Sequence, residues 1–188
     1  MTGAGPVSRG SAVQATLSFL EGEGGKGLVG AVLARIGAEE RGRIQDVGAT
    51  DEAPYPLVVA LWRAADEVLG PTAPDWMERA GAWSIQSYGQ QLYGGILRKA
   101  SPEEFLTQSV SLFRLYYHPG DMEVVERSEG HAVLRLVGFE AMDPLFCRRQ
   151  TGGLTRAIEI AGGTAARVRH VRCELEGDAF CEWDLRWD

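Results

Sequence analysis

The sequence predicts an α+β fold: a helical N-terminal half packed on a mostly antiparallel sheet of about four strands, ending in a β-β-α-β-β unit. Three observations predict it. From Leu28 to about Tyr117 apolar residues recur at helical spacing between strong start and stop signals. From Met122 the period shortens to two on either side of Ser128-Glu129-Gly130, a turn. At the end Cys181, Trp183, Leu185 and Trp187 alternate with Glu182, Asp184, Arg186 and Asp188, a strand with one buried face. The chain has 188 residues, so one domain over 12–188 suffices, and it is long enough to bury a core without disulfides.

The elements follow in order. Residues 1–11 are mostly Gly, Ser and Pro with little to bury and predict a flexible tail. Val13, Ala15, Leu17 and Phe19 alternate with polar residues and predict a strand. The cluster from Gly22 to Gly27 predicts a loop; it lacks the Ser or Thr that must follow Lys26 in a phosphate loop. Helices are predicted over 28–36, stopped by Gly37, and over 39–47. Tyr55-Pro56 starts a stronger helix to Leu69 with Leu57, Leu61, Ala64, Ala65 and Val68 on one face. Pro74-Asp75 opens another that carries Trp76 and Trp83, and 85–97 reads as a helix interrupted by Gly89, Gly94 and Gly95. Ser101-Pro102-Glu103-Glu104 supplies a cap, a first-turn proline and first-turn acids, and His118-Pro119-Gly120 ends that helix. Strands over 122–126 and 131–137 come next. Asp143-Pro144 then opens a helix over 145–161 that Gly162-Gly163 stops, and strands over 166–175 and 179–187 close around Gly177.

A net charge of −7 argues against a nucleic-acid partner, since phosphate binding wants a basic face; the one small basic patch is Arg148-Arg149 with Arg167 and Arg169. No apolar run approaches the roughly 18 residues of a membrane span, and residues 1–12 lack the apolar core of a signal peptide. The expected compartment is the cytoplasm, where thiols stay reduced and clustered Cys reads as metal-binding or catalytic before it reads as a disulfide.

Cys147, Cys173 and Cys181 all fall in the last quarter of the chain. In a hairpin centred on Gly177, Cys173 and Cys181 are equidistant from the turn and stand opposite each other, about 5 Å apart. Cys147 falls in the first turn of the preceding helix, where the helix dipole favours a thiolate. His170 belongs to the other face of a regular strand, opposite Asp184, and joins the group only if the strand bulges or ends before Cys173. Spacing alone leaves three readings open: a tetrahedral zinc site, buried inert thiols, or a Cys173–Cys181 disulfide.

The run Cys173, Gly177-Asp178, Cys181-Glu182-Trp183 resembles the 4-vinyl reductase type small-molecule-binding domain, as does the spacing of Pro144-Leu145-Phe146-Cys147, Gly152-Gly153 and Gly162-Gly163. The resemblance covers about 120–188 well and the N-terminal part loosely. In the phenol-sensing activators that use this domain a structural zinc is held by a helix Cys, an acid shortly before the Cys pair, and the pair itself. The resemblance therefore implies Cys147, His170, Cys173 and Cys181 as zinc ligands, with His in place of the acid. The wider superfamily includes haem nitric-oxide-binding domains and vesicle-tethering subunits, and the early Gly loop, Tyr55-Pro56 and Leu69-Gly70 also resemble the haem group and a set of myxobacterial paralogues. Haem is not expected. The helix before Tyr117-His118-Pro119-Gly120 offers Ser109 or Val110 where the axial His belongs, and Leu136 to Glu140 replace the propionate clamp.

The function these readings imply is a non-catalytic sensory or adaptor domain with a structural zinc and an apolar pocket for a small hydrophobic or aromatic molecule. Trp62, Trp83, Tyr88, Tyr93, Phe113 and Tyr116 are the candidate pocket residues. Output would pass through a partner protein or a homodimer. The alternative is a tethering-type scaffold without a small ligand, and a haem gas sensor ranks behind both. No nucleotide fingerprint or nucleophile–base pair points to an enzyme.

Overall fold

The computed structural model describes residues 5–89, 91, 92, 101–139 and 143–188, with the side chains of 108–112 left aside. The α+β expectation holds. A three-stranded sheet and a four-stranded antiparallel sheet accompany a helical N-terminal half.

Strand β1 (Val7–Arg9), in the segment expected to be a flexible tail, pairs with β2 (Glu52–Pro54) on one side and β3 (Tyr117–His118) on the other. Helix α1 (Ser11–Leu33) takes the place of the expected strand and glycine loop. The alternation at Val13, Ala15, Leu17 and Phe19 hid a better helical set: Ala12, Ala15, Thr16, Phe19 and Leu20 are buried together. Thr16 fixes that face, since its hydroxyl donates to the Ala12 carbonyl (2.7 Å) and accepts from the Trp62 indole (3.2 Å). The glycine cluster survives only as a kink, at Gly24 and at Gly25, whose φ of +66° suits a residue without a side chain.

Helices α2 (Ala38–Asp46), α3 (Tyr55–Leu69) and α4 (Trp76–Ser84) lie where the periodicity puts them, and α4 runs into a π-helical turn, Ile85–Gly89. The rest of the helix expected over 85–97 falls largely outside the described residues. Helix α5 (Pro102–Tyr116) starts as expected, with the Ser101 hydroxyl accepting from the Glu104 amide. Helix α6 (Pro144–Ile160) is capped by Asp143. One carboxylate oxygen accepts from the Leu145 amide (2.9 Å), and the other accepts from Arg63 at 2.9 and 3.1 Å.

The larger sheet has the order β4-β5-β7-β6, with β4 (Asp121–Ser128), β5 (His131–Val137), β6 (Arg167–Arg172) and β7 (Cys181–Arg186). Ala132, Leu134 and Leu136 face Leu185, Trp183 and Cys181 across β5 and β7, which places the buried halves of both strands on one side. Phe105, Phe139 and Phe146 are buried in the same core, and Trp62 and Trp76 meet Thr16 and Phe19 of α1 between helices. Tyr55, Phe113, Tyr117, Phe139 and Phe146 form a continuous aromatic group, with ring centroids 4.9 to 6.5 Å apart. Helices α4 and α6 meet backbone to backbone: a side chain at Gly152 would collide with the Glu78 carbonyl, and one at Gly81 with the Arg149 carbonyl.

Candidate functional site

Two features stand out, and both begin on the first two turns of α6. The first is the cysteine group. Cys147, His170, Cys173 and Cys181 each offer a donor atom, and those atoms lie within 4.8 Å of one another. Cys147 Sγ and Cys181 Sγ are 3.9 Å apart, and all three cysteines are free, so the Cys173–Cys181 disulfide is not formed. The route to this geometry differs from a simple hairpin. The β6–β7 ladder ends at Arg172 opposite Glu182, with a bulge between His170 and Arg172, and a 3₁₀ turn (Glu174–Glu176) follows. The bulge brings His170 and Cys173 to one side, and His170 stands opposite Trp183, not Asp184. Its ring stacks on the Trp183 indole, with centroids 4.7 Å apart. The Asp178 carboxylate accepts from the Cys173 amide at 2.8 Å and closes the loop.

Proton sharing makes the three thiols unequal. Cys181 is pulled down to about 4, foremost by the hydrogen bond from Cys147, against burial, with His170 and the Glu174 amide (3.4 Å) helping. Cys147 is pushed up by the same bond and by burial, and burial pushes Cys173 up. The bond that lowers Cys181 raises Cys147, so Cys181 is the thiol of the group most disposed to ionise, and a thiolate there favours a cation. His170 Nε2 is buried and, among the described residues, has no partner in hydrogen-bond geometry.

The second feature is a cavity of about 80 Å³ between α4, α5, α6 and the start of β4. Phe105, Phe113, Tyr116, Tyr117, Met122 and Arg149 are on its wall. Burial pushes the Tyr117 phenol up, and the same cause dominates at Tyr55, so both stay neutral. Of the pocket residues expected from sequence, Phe113 and Tyr116 line this cavity. Trp62 is a core residue bonded to Thr16, Trp83 is exposed, Tyr88 borders a separate surface hollow against α1, and Tyr93 lies outside the described residues. Sequence reasoning missed Tyr117, Met122 and Arg149. The signal for Arg149 was the pair Arg148-Arg149, taken as a surface patch: Arg148 does reach out to Glu78, but Arg149 turns inward and is 4% exposed.

No family model matches the chain, and no curated protein is similar to it in sequence. In structure it is similar to the Fe(II) unliganded H-NOX protein from K. algicida, with TM-score 0.74 and 13% identity over 96% of each chain. An H-NOX protein from S. oneidensis in the Fe(II)NO state gives 0.73 at 10% identity, over 96% of this chain and 99% of that one. A structure concerned with modulating heme redox potential through protein-induced porphyrin distortion gives 0.67 at 14% identity, over 96% of this chain and 99% of that one. At these identities the likeness is one of fold, and it spans nearly the whole chain.

These neighbours correct the expectations drawn from the C-terminal resemblance. The fold is that of H-NOX proteins, not of the 4-vinyl reductase type domain, so the zinc-bearing sensor or adaptor for an apolar molecule loses its basis. The zinc assignment and the setting aside of haem, which came from the same resemblance, lose theirs. Among the described residues no helix is long and apolar enough to cross a membrane.

Proposed function

We propose that this chain is a non-enzymatic sensory domain on the H-NOX architecture, which takes its effector into the cavity between α4, α5, α6 and β4. The observation that carries the proposal is the cavity itself, a mostly apolar space with a buried cation on its wall, in a fold shared with H-NOX proteins in Fe(II) and Fe(II)NO states and with a protein studied for its heme redox potential.

Heme is therefore the first group to test against the residues present. A histidine-ligated haem does not fit them. His118 is exposed on β3, His131 is bonded to Asp184 at 2.8 Å, and His170 belongs to the cysteine group. Among the described residues, the side chains on the cavity wall that could donate an electron pair to iron are the phenols of Tyr116 and Tyr117, the Met122 thioether, the Ser84 hydroxyl and the Gln150 amide oxygen, and none is a histidine. The volume, about 80 Å³, is below the ~300 Å³ at which pockets for drug-sized ligands begin.

The test of the cavity is thermal shift with hemin and with small organic acids, on the natural chain and on Ala157→Leu. Ala157 is buried on the cavity wall, and three added carbons fill much of the space. At least one compound is expected to raise the melting temperature of the natural chain, and the variant is expected to erase the rise. No response from the natural chain, or an equal response from the variant, overturns the cavity as effector site.

A separate observation, four donor atoms within 4.8 Å, supports a second proposal: Cys147, His170, Cys173 and Cys181 hold one soft metal ion in a closed site. Metal–sulfur bonds of about 2.3 Å place tetrahedral donors roughly 3.8 Å apart, close to the 3.9 Å between Cys147 and Cys181. Metal analysis of protein purified without chelator is expected to find about one ion per chain, absent in Cys181→Ser. That variant is expected to melt roughly 10 °C lower, because such an ion lends its binding free energy to folding. Metal-free protein whose melting ignores the substitution refutes the site.

A further inference from the structure

We infer that the ligand of the cavity is a small carboxylic acid in its anionic form, and that Arg149 is the residue that recognises it. The inference rests on the cavity being the effector site and names the chemistry of what enters it.

Arg149 is 4% exposed, and among the described residues neither terminal nitrogen of its guanidinium has a hydrogen-bond partner. None of the described carboxylates forms an ion pair with it, whereas Arg63, Arg114, Arg135 and Arg148 all find one, several of them in the open. Its polar neighbours are the phenols of Tyr117, Tyr116 and Tyr55. The Tyr117 contact falls short of hydrogen-bond geometry at both nitrogens, and neutral phenols bring no counter-charge. The Trp62 ring, 5.3 Å from the guanidinium carbon, favours a cation there without neutralising it. A guanidinium does not shed its proton to escape burial.

The main chain that carries Arg149 is held in place. Its carbonyl abuts Gly81 on α4, and the next turn of α6 abuts Glu78 through Gly152, so this stretch of helix is locked. The result is a buried cation on the wall of a cavity, without a counter-charge among the described residues, the arrangement that a bound anion completes. The planar fork of a guanidinium matches a carboxylate with two parallel hydrogen bonds. The remaining wall is mostly apolar, with Phe105, Phe113, Met122 and Leu154 beside Ser84 and Gln150, and suits an apolar body behind the acid group. About 80 Å³ holds roughly five water-sized groups, which limits that body to a short chain.

Calorimetric titration tests this with butyrate, isovalerate and their primary amides, and with inorganic phosphate as an anion without an apolar body. The natural chain is expected to bind at least one of the two acids, at least tenfold tighter than its amide and tighter than phosphate. Arg149→Met is expected to weaken acid binding at least tenfold and leave the amide unchanged, while Arg149→Lys retains part of the acid preference. Acid and amide binding alike, acid binding that survives in Arg149→Met, or no acid binding at all overturns the inference. If the acids fail but hemin or an amide binds and Ala157→Leu abolishes it, the cavity remains the effector site and only the acid is wrong. If acid binding persists in Ala157→Leu, the cavity itself is the wrong place.

Discussion

Gly152→Ala is expected to be among the most damaging single substitutions outside the cysteine group. The added methyl would lie far inside van der Waals contact with the Glu78 carbonyl oxygen and 2.7 Å from the Glu78 Cα. Both obstacles are backbone in the first turn of α4, so no rotamer change relieves them, and the two helices must part. Overpacking of a core costs about 1–3 kcal/mol where side chains can yield, so a clash between main chains belongs at or above the upper end. For a chain of this size 3 kcal/mol is a fall in melting temperature of roughly 6–12 °C. Gly27→Ala is the control: Gly27 is exposed on α1 with nothing near its missing side chain, and it is expected to gain a few tenths of a kcal/mol. The measurement is urea denaturation, where Gly152→Ala lowers the midpoint at constant slope. Equal midpoints for the two variants would mean that α4 and α6 do not meet as closely as described. Because the same contact pins Arg149, Gly152→Ala should also blunt any ligand response.

What could be read from the sequence depended on how local its cause was. The start of α5 at Ser101-Pro102 and of α6 at Asp143-Pro144 follows from capping chemistry within four residues, and both are found there. The alternation in β7 depends on a single sheet face and is equally plain. Alternation failed at Val13 to Phe19, because a period of two and a period of 3.6 share positions over so short a run and Thr16 reads as polar until Trp62 meets it. The four donors of the cysteine group were legible as residue types, and the bulge that lets His170 join them was stated as the condition, but nothing local announces it. Arg149 was not legible at all. An arginine beside another arginine reads as surface, and only the approach of α4, set by Gly81 and Gly152, turns one of the pair inward. The C-terminal likeness misled for a related reason: a short cysteine pattern reports a local loop, whereas the order of all the elements decides the fold, and that order is the H-NOX one.

Arg149→Met separates a ligand-binding role from a structural one by the sign of its effect on the empty protein. A buried charge without a partner carries a desolvation penalty of several kcal/mol, and apolar replacement of buried charged groups of similar size is often stabilising by about 1–4 kcal/mol. Methionine keeps much of the length, adapts to irregular space and can lay its sulfur against the Trp62 ring. Ligand-free Arg149→Met is therefore expected to be more stable than the natural chain by about 1–3 kcal/mol, a rise of roughly 2–12 °C in melting temperature. Arg149→Lys buries an ammonium that is more strongly hydrated and lacks the planar fork, so it is expected to gain nothing. The natural chain must first be freed of any acid it carries from the cell, by unfolding, dialysis and refolding, since a bound anion stabilises by mass action and would mask the difference. With acid restored, the order should reverse at high concentration: the natural chain climbs with the logarithm of ligand and Arg149→Met does not. A variant that melts below the ligand-free natural chain would instead make Arg149 a structural member, held by its stacking on Trp62 and its phenolic neighbours. A residue that weakens the empty domain and strengthens the occupied one is a binding residue, and the two melting curves measure both halves of that statement on the same protein.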